Sequence, residues 1–167
     1  MPLSQRLKKN PTTRSEIVFV SAVPFHYIDL QAFCYATEDD KRVLDALQAI
    51  LPADTTVERS ESEGHHGDRI IVFASRLERA DDIRYVLSKL SQIEDPDRLR
   101  QELEQRIDDE CAFYLQLDKQ EAYQGNIRLG TGLLVRGKIE AYPAKREIAL
   151  SVVNEFIDEL FSEPTSS

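Results

Sequence analysis

The sequence predicts an α+β domain in two layers, with helices packed on one face of a mainly antiparallel sheet. Three observations predict it: several runs of period-two alternation, amphipathic stretches of helical period between them, and no regular strand–helix–strand repetition. The chain has 167 residues, of which 41% are hydrophobic and 31% charged, a globular composition at the usual size of one domain. One domain is expected over 15–162, after a flexible basic arm at 1–14 and before a disordered tail at 163–167.

The elements follow in order. Ile17, Phe19, Ser21 and Val23 alternate with their neighbours. After Pro24, His26, Ile28, Leu30, Ala32 and Cys34 alternate with Phe25, Tyr27, Asp29, Gln31, Phe33 and Tyr35, giving two strands interrupted by the proline. Thr37, followed by Glu38, Asp39 and Asp40, reads as a helix N-cap with acids in the first turn. Val43, Leu44, Leu47, Ile50 and Leu51 form its apolar stripe, and Pro52 stops it. Strands at 55–60 and 69–75 flank a glycine-bearing hairpin loop at 61–68. A helix at 80–93 presents Ile83, Val86, Leu87 and Leu90. A third, after Pro96, shows only Leu99, Leu103 and Ile107, which predicts a peripheral position. A strand over 111–118 precedes a stretch to Gly132 that is mostly loop, with a short strand near 127–129. Another strand covers 133–141. The last helix runs from Pro143 to about Phe161, with Ile148, Val152, Phe156 and Leu160 inward.

Alternation then sorts the sheet into two faces. Ile28, Leu30, Cys34, Phe113, Leu115, Val135 and Ile139 go to the helices. Phe25, Tyr27, Asp29, Gln31, Phe33, Tyr35, Tyr114, Gln116, Arg136, Lys138 and Tyr142 go to an open face. Rings mixed with cations suit single-stranded nucleic acid, by stacking and by phosphate contact. The plainer reading is a dimer interface or further core, and it is the better one for Phe25 and Phe33.

Charge points the same way. The net charge is −9, with 30 acids against 21 bases. Only 7 of those bases are lysine, a composition expected of a salt-adapted, halophilic cell. Residues 1–14 nevertheless carry four bases and no acid, and residues 119–146 carry six bases (Lys119, Arg128, Arg136, Lys138, Lys145, Arg146) against two acids. Two basic islands in an acidic chain suggest an anionic partner. Lys145 and Arg146 after Pro143 would place two cations at a helix N-terminus, where acids are normally favoured, and that arrangement suits phosphate.

Other chemistry finds little support. His65 and His66 with Asp68 lack a third ligand at a diagnostic spacing, so an exposed turn is the better reading than a metal site. Cys34 and Cys111 sit in apolar runs and read as structural thiols. No nucleophile elbow, phosphate-binding loop or dinucleotide fingerprint occurs. The longest apolar run, 17–23, is too short to span a bilayer. Glu16 beside it argues against a signal peptide, so a cytoplasmic, non-enzymatic protein with no metal or cofactor is expected.

At Val23-Pro24-Phe25-His26-Tyr27-Ile28-Asp29, Ala36-Thr37-Glu38-Asp39, Gly64-His65-His66-Gly67, Leu117-Asp118-Lys119-Gln120-Glu121-Ala122-Tyr123 and Glu140-Ala141-Tyr142-Pro143-Ala144-Lys145-Arg146, the chain resembles a family of small archaeal proteins. They are described as predicted RNA-binding proteins or predicted exosome subunits, and the resemblance runs in order over about 15–160. It implies a domain similar to the ribosomal L5 proteins, likened to a double-stranded-RNA-binding domain, and it carries over no functional residue.

The expectation is an RNA-binding accessory factor of archaeal RNA processing or ribosome metabolism. RNA would be bound by Lys119, Arg128, Arg136, Lys138, Tyr142, Lys145 and Arg146, with a homodimer and an RNA-processing complex as further partners. The alternative is a homodimeric scaffold without direct RNA contact.

Overall fold

In the structure, a computed structural model that describes residues 23–162, five strands form one sheet. The basic arm, most of the first predicted strand and the tail lie outside the described residues. The strands are β1 (Phe25–Cys34), β2 (Glu58–Glu63), β3 (Arg69–Leu77), β4 (Ala112–Asp118) and β5 (Gly132–Ile139), in the spatial order β2-β3-β1-β5-β4. Every neighbouring pair is antiparallel. The helices are α1 (Asp40–Gln48), α2 (Ala80–Leu90), α3 (Pro96–Gln101), α4 (Lys119–Tyr123) and α5 (Arg146–Leu160), with a 3₁₀ turn at Leu103–Arg106.

The two-layer expectation holds. Ile28, Leu30, Ala32 and Cys34 of the central strand β1 are buried in one cluster with Ile71, Phe73, Leu115, Val135 and the inner faces of the helices. From that same strand, Tyr27, Asp29, Gln31 and Phe33 are only half-buried, because nothing described covers the other face. The outer strand β2 is exposed throughout and reads Glu-Arg-Ser-Glu-Ser-Glu, a charged edge that discourages pairing with another chain.

Several local expectations change. Phe25, assigned to the open face, is 2% exposed on the core face. A bulge lies between Phe25 and Tyr27: Phe25 pairs with Ile139 and Tyr27 with Lys138, so His26 is the extra residue and the alternation slips by one. The Phe25 ring then packs on Phe113 (centroids 6.3 Å) and edge-on to Phe156 (5.7 Å). It lies over Gly137, where a Cβ would stand 2.6 Å from the ring, so only glycine fits.

The α1 N-cap is Asp39, whose carboxylate accepts from the Lys41 N–H, rather than Thr37. The first hairpin strand lies three residues later than expected, which shortens the loop to 64–68, and the second runs on to Leu77. The third helix is not one peripheral rod. It breaks into α3 and the 3₁₀ turn, and Leu99, Leu103 and Ile107 are all buried. The short strand near 127–129 is a single bridge between Leu117 and Leu129. In the stretch expected to be loop, α4 forms because the Asp118 carboxylate accepts from the Gln120 and Glu121 N–H groups. Finally, α5 starts at Arg146, after a cis Tyr142–Pro143 bond, so Pro143 is not its first residue. Its inward residues are Ala149, Val153, Phe156, Ile157 and Leu160, while Ile148 and Val152 sit half-buried at the margin.

Candidate nucleic-acid interface

Across the open face, antiparallel register sets four polar side chains in one rung. Arg76 of β3 lies opposite Asp29 of β1, Asp29 opposite Arg136 of β5, and Arg136 opposite Tyr114 of β4. Arg76 donates to both Asp29 oxygens, Nε to Oδ1 at 2.7 Å and Nη2 to Oδ2 at 2.9 Å, the fork geometry that makes arginine–carboxylate pairs strong. Its guanidinium also lies 3.8 Å from the centroid of the Tyr27 ring.

Arg136 donates to the hydroxyls of Tyr114 (3.1 Å) and Tyr27 (3.4 Å) and sits 3.9 Å from Asp29. The Tyr114 hydroxyl in turn donates to Asp108 Oδ2 at 2.8 Å. Each guanidinium thus lies over, or is bonded to, a tyrosine that is itself only half-buried.

These partners set the charge states. Hydrogen bonding to Asp29 raises the Arg76 pKa, and hydrogen bonding to Tyr114 and Tyr27 raises that of Arg136, so both stay cationic. Burial works to raise the Asp108 pKa. The Ala112 and Glu110 N–H groups, the Tyr114 hydroxyl and the Arg136 charge outweigh it and hold the carboxyl below its ordinary value.

From the rung, β5 leads to one end of the sheet. Lys138 lies opposite Tyr27 and donates to the Glu110 carbonyl. Beyond it, Tyr142 is 76% exposed, and its ring meets His26 edge-on at 6.1 Å. His26 Nδ1 is 3.4 Å from Glu140. Lys145, the N-cap residue of α5, is exposed, and among the described residues no hydrogen bond or ion pair holds its ammonium. Arg128 is also exposed, flanking β4 beside the Leu117–Leu129 bridge.

Two further sequence-selected cations are engaged by the fold away from this track. Lys119, 11% exposed, reaches the far end of β1, where it pairs with Glu38 (2.6 Å), donates to the Phe33 carbonyl and faces the Tyr35 ring at 4.8 Å. Arg146 donates to the Ile107 carbonyl at 3.0 Å and to that of Glu104, tying the start of α5 to the 3₁₀ turn. The expected two-cation helix terminus is therefore not assembled: Lys145 faces solvent and Arg146 the backbone.

Sequence reasoning missed Arg76. Alternation from the buried Ile71 and Phe73 would have put it on the open face, but its pairing with Asp29 depends on register. His65 and His66 are exposed in the β2–β3 turn. Among the described residues no group of three or more His, Cys, Asp or Glu could hold a metal, and no helix is long and apolar enough to cross a membrane.

A family model described as RNA binding matches residues 27–140. The chain belongs to this RNA-binding family. The match takes in the rung and Lys138, and stops just short of Tyr142 and Lys145. RNA-binding protein PAB1135 of Pyrococcus abyssi is 33% identical over 144 residues, 80% of this chain and 94% of that protein. The solved structure of Mth689, a DUF54 protein from Methanothermobacter thermautotrophicus, is 36% identical with a TM-score of 0.69, covering 80% of this chain and 98% of that one. Protein AF2318 from Archaeglobus fulgidus, of the DUF54 family, superposes with a TM-score of 0.72 at 26% identity over 78% of this chain and 98% of its own. The two solved structures share the fold over nearly all of their own length and about four-fifths of this chain.

Proposed function

We propose that the chain binds single-stranded RNA on the open sheet face, along the track from the Arg76–Asp29–Arg136–Tyr114 rung through Lys138 to Tyr142 and Lys145. The observation that carries this reading is the rung with Tyr27 beside it, which together place two arginines and two tyrosines on a solvent-facing sheet. Aromatic rings and guanidinium planes are stacking platforms for unpaired bases, and sheet faces bearing them are a recurrent RNA-binding solution.

Tyr142, a large ring left in water, would stack one base at the end of the track. Lys145 and Lys138 would meet phosphates at that end, Arg128 lies at the opposite end of β4, and Lys119 and Arg146 hold the scaffold. Asp29 and Asp108 offset much of the rung's charge, so stacking carries a larger share of affinity than charge and binding is salt-tolerant. We place such a protein as a non-enzymatic accessory factor in RNA processing or ribosome metabolism in the cytoplasm. The test is fluorescence anisotropy with short single-stranded RNA over a salt series for wild type, Tyr142→Ala and Lys145→Ala. Unchanged affinity in both variants, with folding intact, rules the track out.

A second reading rests on the other half of the same face. There Phe33 pairs with Val72 and Gln31 with Leu134, a half-buried row more apolar than the rung. It suits a homodimer, and light scattering across concentration and salt distinguishes that from a monomer.

A further inference from the structure

At the far end of β1 from Tyr142, the start of α1 and the short helix α4 enclose a cleft of about 330 Å³, near the lower end of the usual range for small-ligand sites, roughly 300–1,000 Å³. That is room for one ring system rather than a chain of them. Buried Val43 lines the cleft and gives it an apolar surface. On one wall the Arg42 guanidinium lies 4.4 Å from the centroid of the Tyr123 ring. Both groups are exposed, so the guanidinium over the ring is accessible from solvent. Such a pair attracts a flat, polarisable ligand through stacking and cation–π contact.

The polar wall is more selective. Glu38 Oε1 accepts from Lys119 Nζ at 2.6 Å and from the Tyr35 N–H at 3.0 Å, which fixes the side chain. Its Oε2 makes no hydrogen bond among the described residues. Burial works to raise the Glu38 pKa, and the Lys119 and Tyr35 hydrogen bonds outweigh it, so the group is an ionised acceptor with no proton to give. Gln120, also lining the cleft, is exposed, and its side-chain amide has no partner among the described residues.

The geometry points to a binding site for a single unstacked guanine base, stacked by Arg42 and Tyr123 and read on its edge by Glu38 and Gln120. An oxygen that can only accept favours a ligand edge rich in donors. Guanine presents adjacent N1–H and N2–H donors there, with O6 beside them to accept from the Gln120 amide. Adenine and cytosine set a bare ring nitrogen next to their amino group, and that lone pair would face the carboxylate. Uracil offers one N–H between two carbonyl oxygens. Discrimination of this kind by a carboxylate–base contact amounts to about tenfold or more. The proposal rests on the RNA reading above, giving that interface one base-specific position at the opposite end of the sheet.

The experiment titrates isotope-labelled full-length protein with GMP, AMP, CMP and UMP separately, following amide chemical shifts. GMP should shift residues 37–43 and 119–123 and bind about tenfold or more tightly than AMP. Gln120→Ala and Tyr123→Ala, both at exposed positions that leave the Glu38–Lys119 pair intact, should weaken GMP binding. Glu38→Gln should abolish the preference for GMP over AMP.

Equal affinity for GMP and AMP, or GMP shifts confined to the Tyr142 end, overturns the proposal. So does wild-type affinity in the Gln120→Ala and Tyr123→Ala variants. An RNA series with and without a single G separates this from the interface itself. RNA that binds through Tyr142 regardless of G and of Gln120 sinks the cleft and spares the track. GMP that fills the cleft while no RNA binds sinks the track and leaves a mononucleotide site.

Discussion

At the Cys34 end of β1 the Lys119 ammonium is almost covered, held by a carboxylate, a backbone carbonyl and the face of a tyrosine. At the Phe25 end Lys145 stands in solvent beside a tyrosine that is itself three-quarters exposed. Both lysines come from the same basic stretch of an acidic chain. The difference teaches that a basic island is a mixture: some of its cations satisfy the fold's own acceptors, and only the remainder can meet a partner. Arg146 and Lys145, adjacent in sequence, make the same division within one helix turn.

The largest effect that sharpens this contrast is on stability. Lys119→Ala should cost roughly 2–3 kcal/mol in urea denaturation, because Glu38 and the Phe33 carbonyl lose a shared donor; both side chains of the ion pair keep some solvent contact, which limits the loss. Affinity of the folded fraction for RNA lacking G, which the Tyr142 end alone would bind, should not change.

The same pair has a pH signature. The Glu38 pKa is lower in the folded chain than its ordinary 4.5. Its contribution is therefore fully present above that value and is lost as pH falls through the lower folded value. Wild-type stability should drop through the window below about 4.5, and that component should shrink in Lys119→Ala. Denaturation midpoints from pH 6 to 3 check it.

Next comes the solvent end. Tyr142→Ala should weaken single-stranded RNA binding by roughly 1–3 kcal/mol while leaving stability within about 0.5 kcal/mol, since an exposed ring holds little of the fold together. Arg146→Ala reverses that pattern. It removes the donor to Ile107 and Glu104 and should cost about 1 kcal/mol of stability with little loss of RNA affinity. A large affinity loss there would mean that Arg146 releases its carbonyls to meet RNA, and the division of the island would collapse.

The smallest effect is that of Lys145→Ala. Stability should be unchanged, and the slope of log affinity against log salt should flatten by about 0.7 on single-stranded RNA.

Where reading the sequence failed, the failures share a cause. Phe25 was assigned by alternation, and the alternation is sound from Tyr27 onward. One unpaired residue, His26, reverses the side on which Phe25 lies, and the bulge is a property of the pairing with β5. Arg76 and Asp29 are 47 positions apart, and nothing local to either announces the other. The helix α4 is a different case. Asp118 followed by Glu121 is a usable start signal that a five-residue element gave too little periodicity to support.

By itself the sequence determined the fold class, most of the strands and helices, and the apolar side chains that fill the core. Those follow from periodicity and capping, which are local and repeat over enough residues to be read. It also determined that rings and cations would share the open face, because alternation continues along each strand. Only the tertiary structure decided which cations remain available. Whether Lys119 meets a phosphate or Glu38 depends on which distant carboxylate and carbonyl the chain brings within about 3 Å, the reach of a hydrogen bond. That is fixed by strand order and register, and no window of sequence contains it.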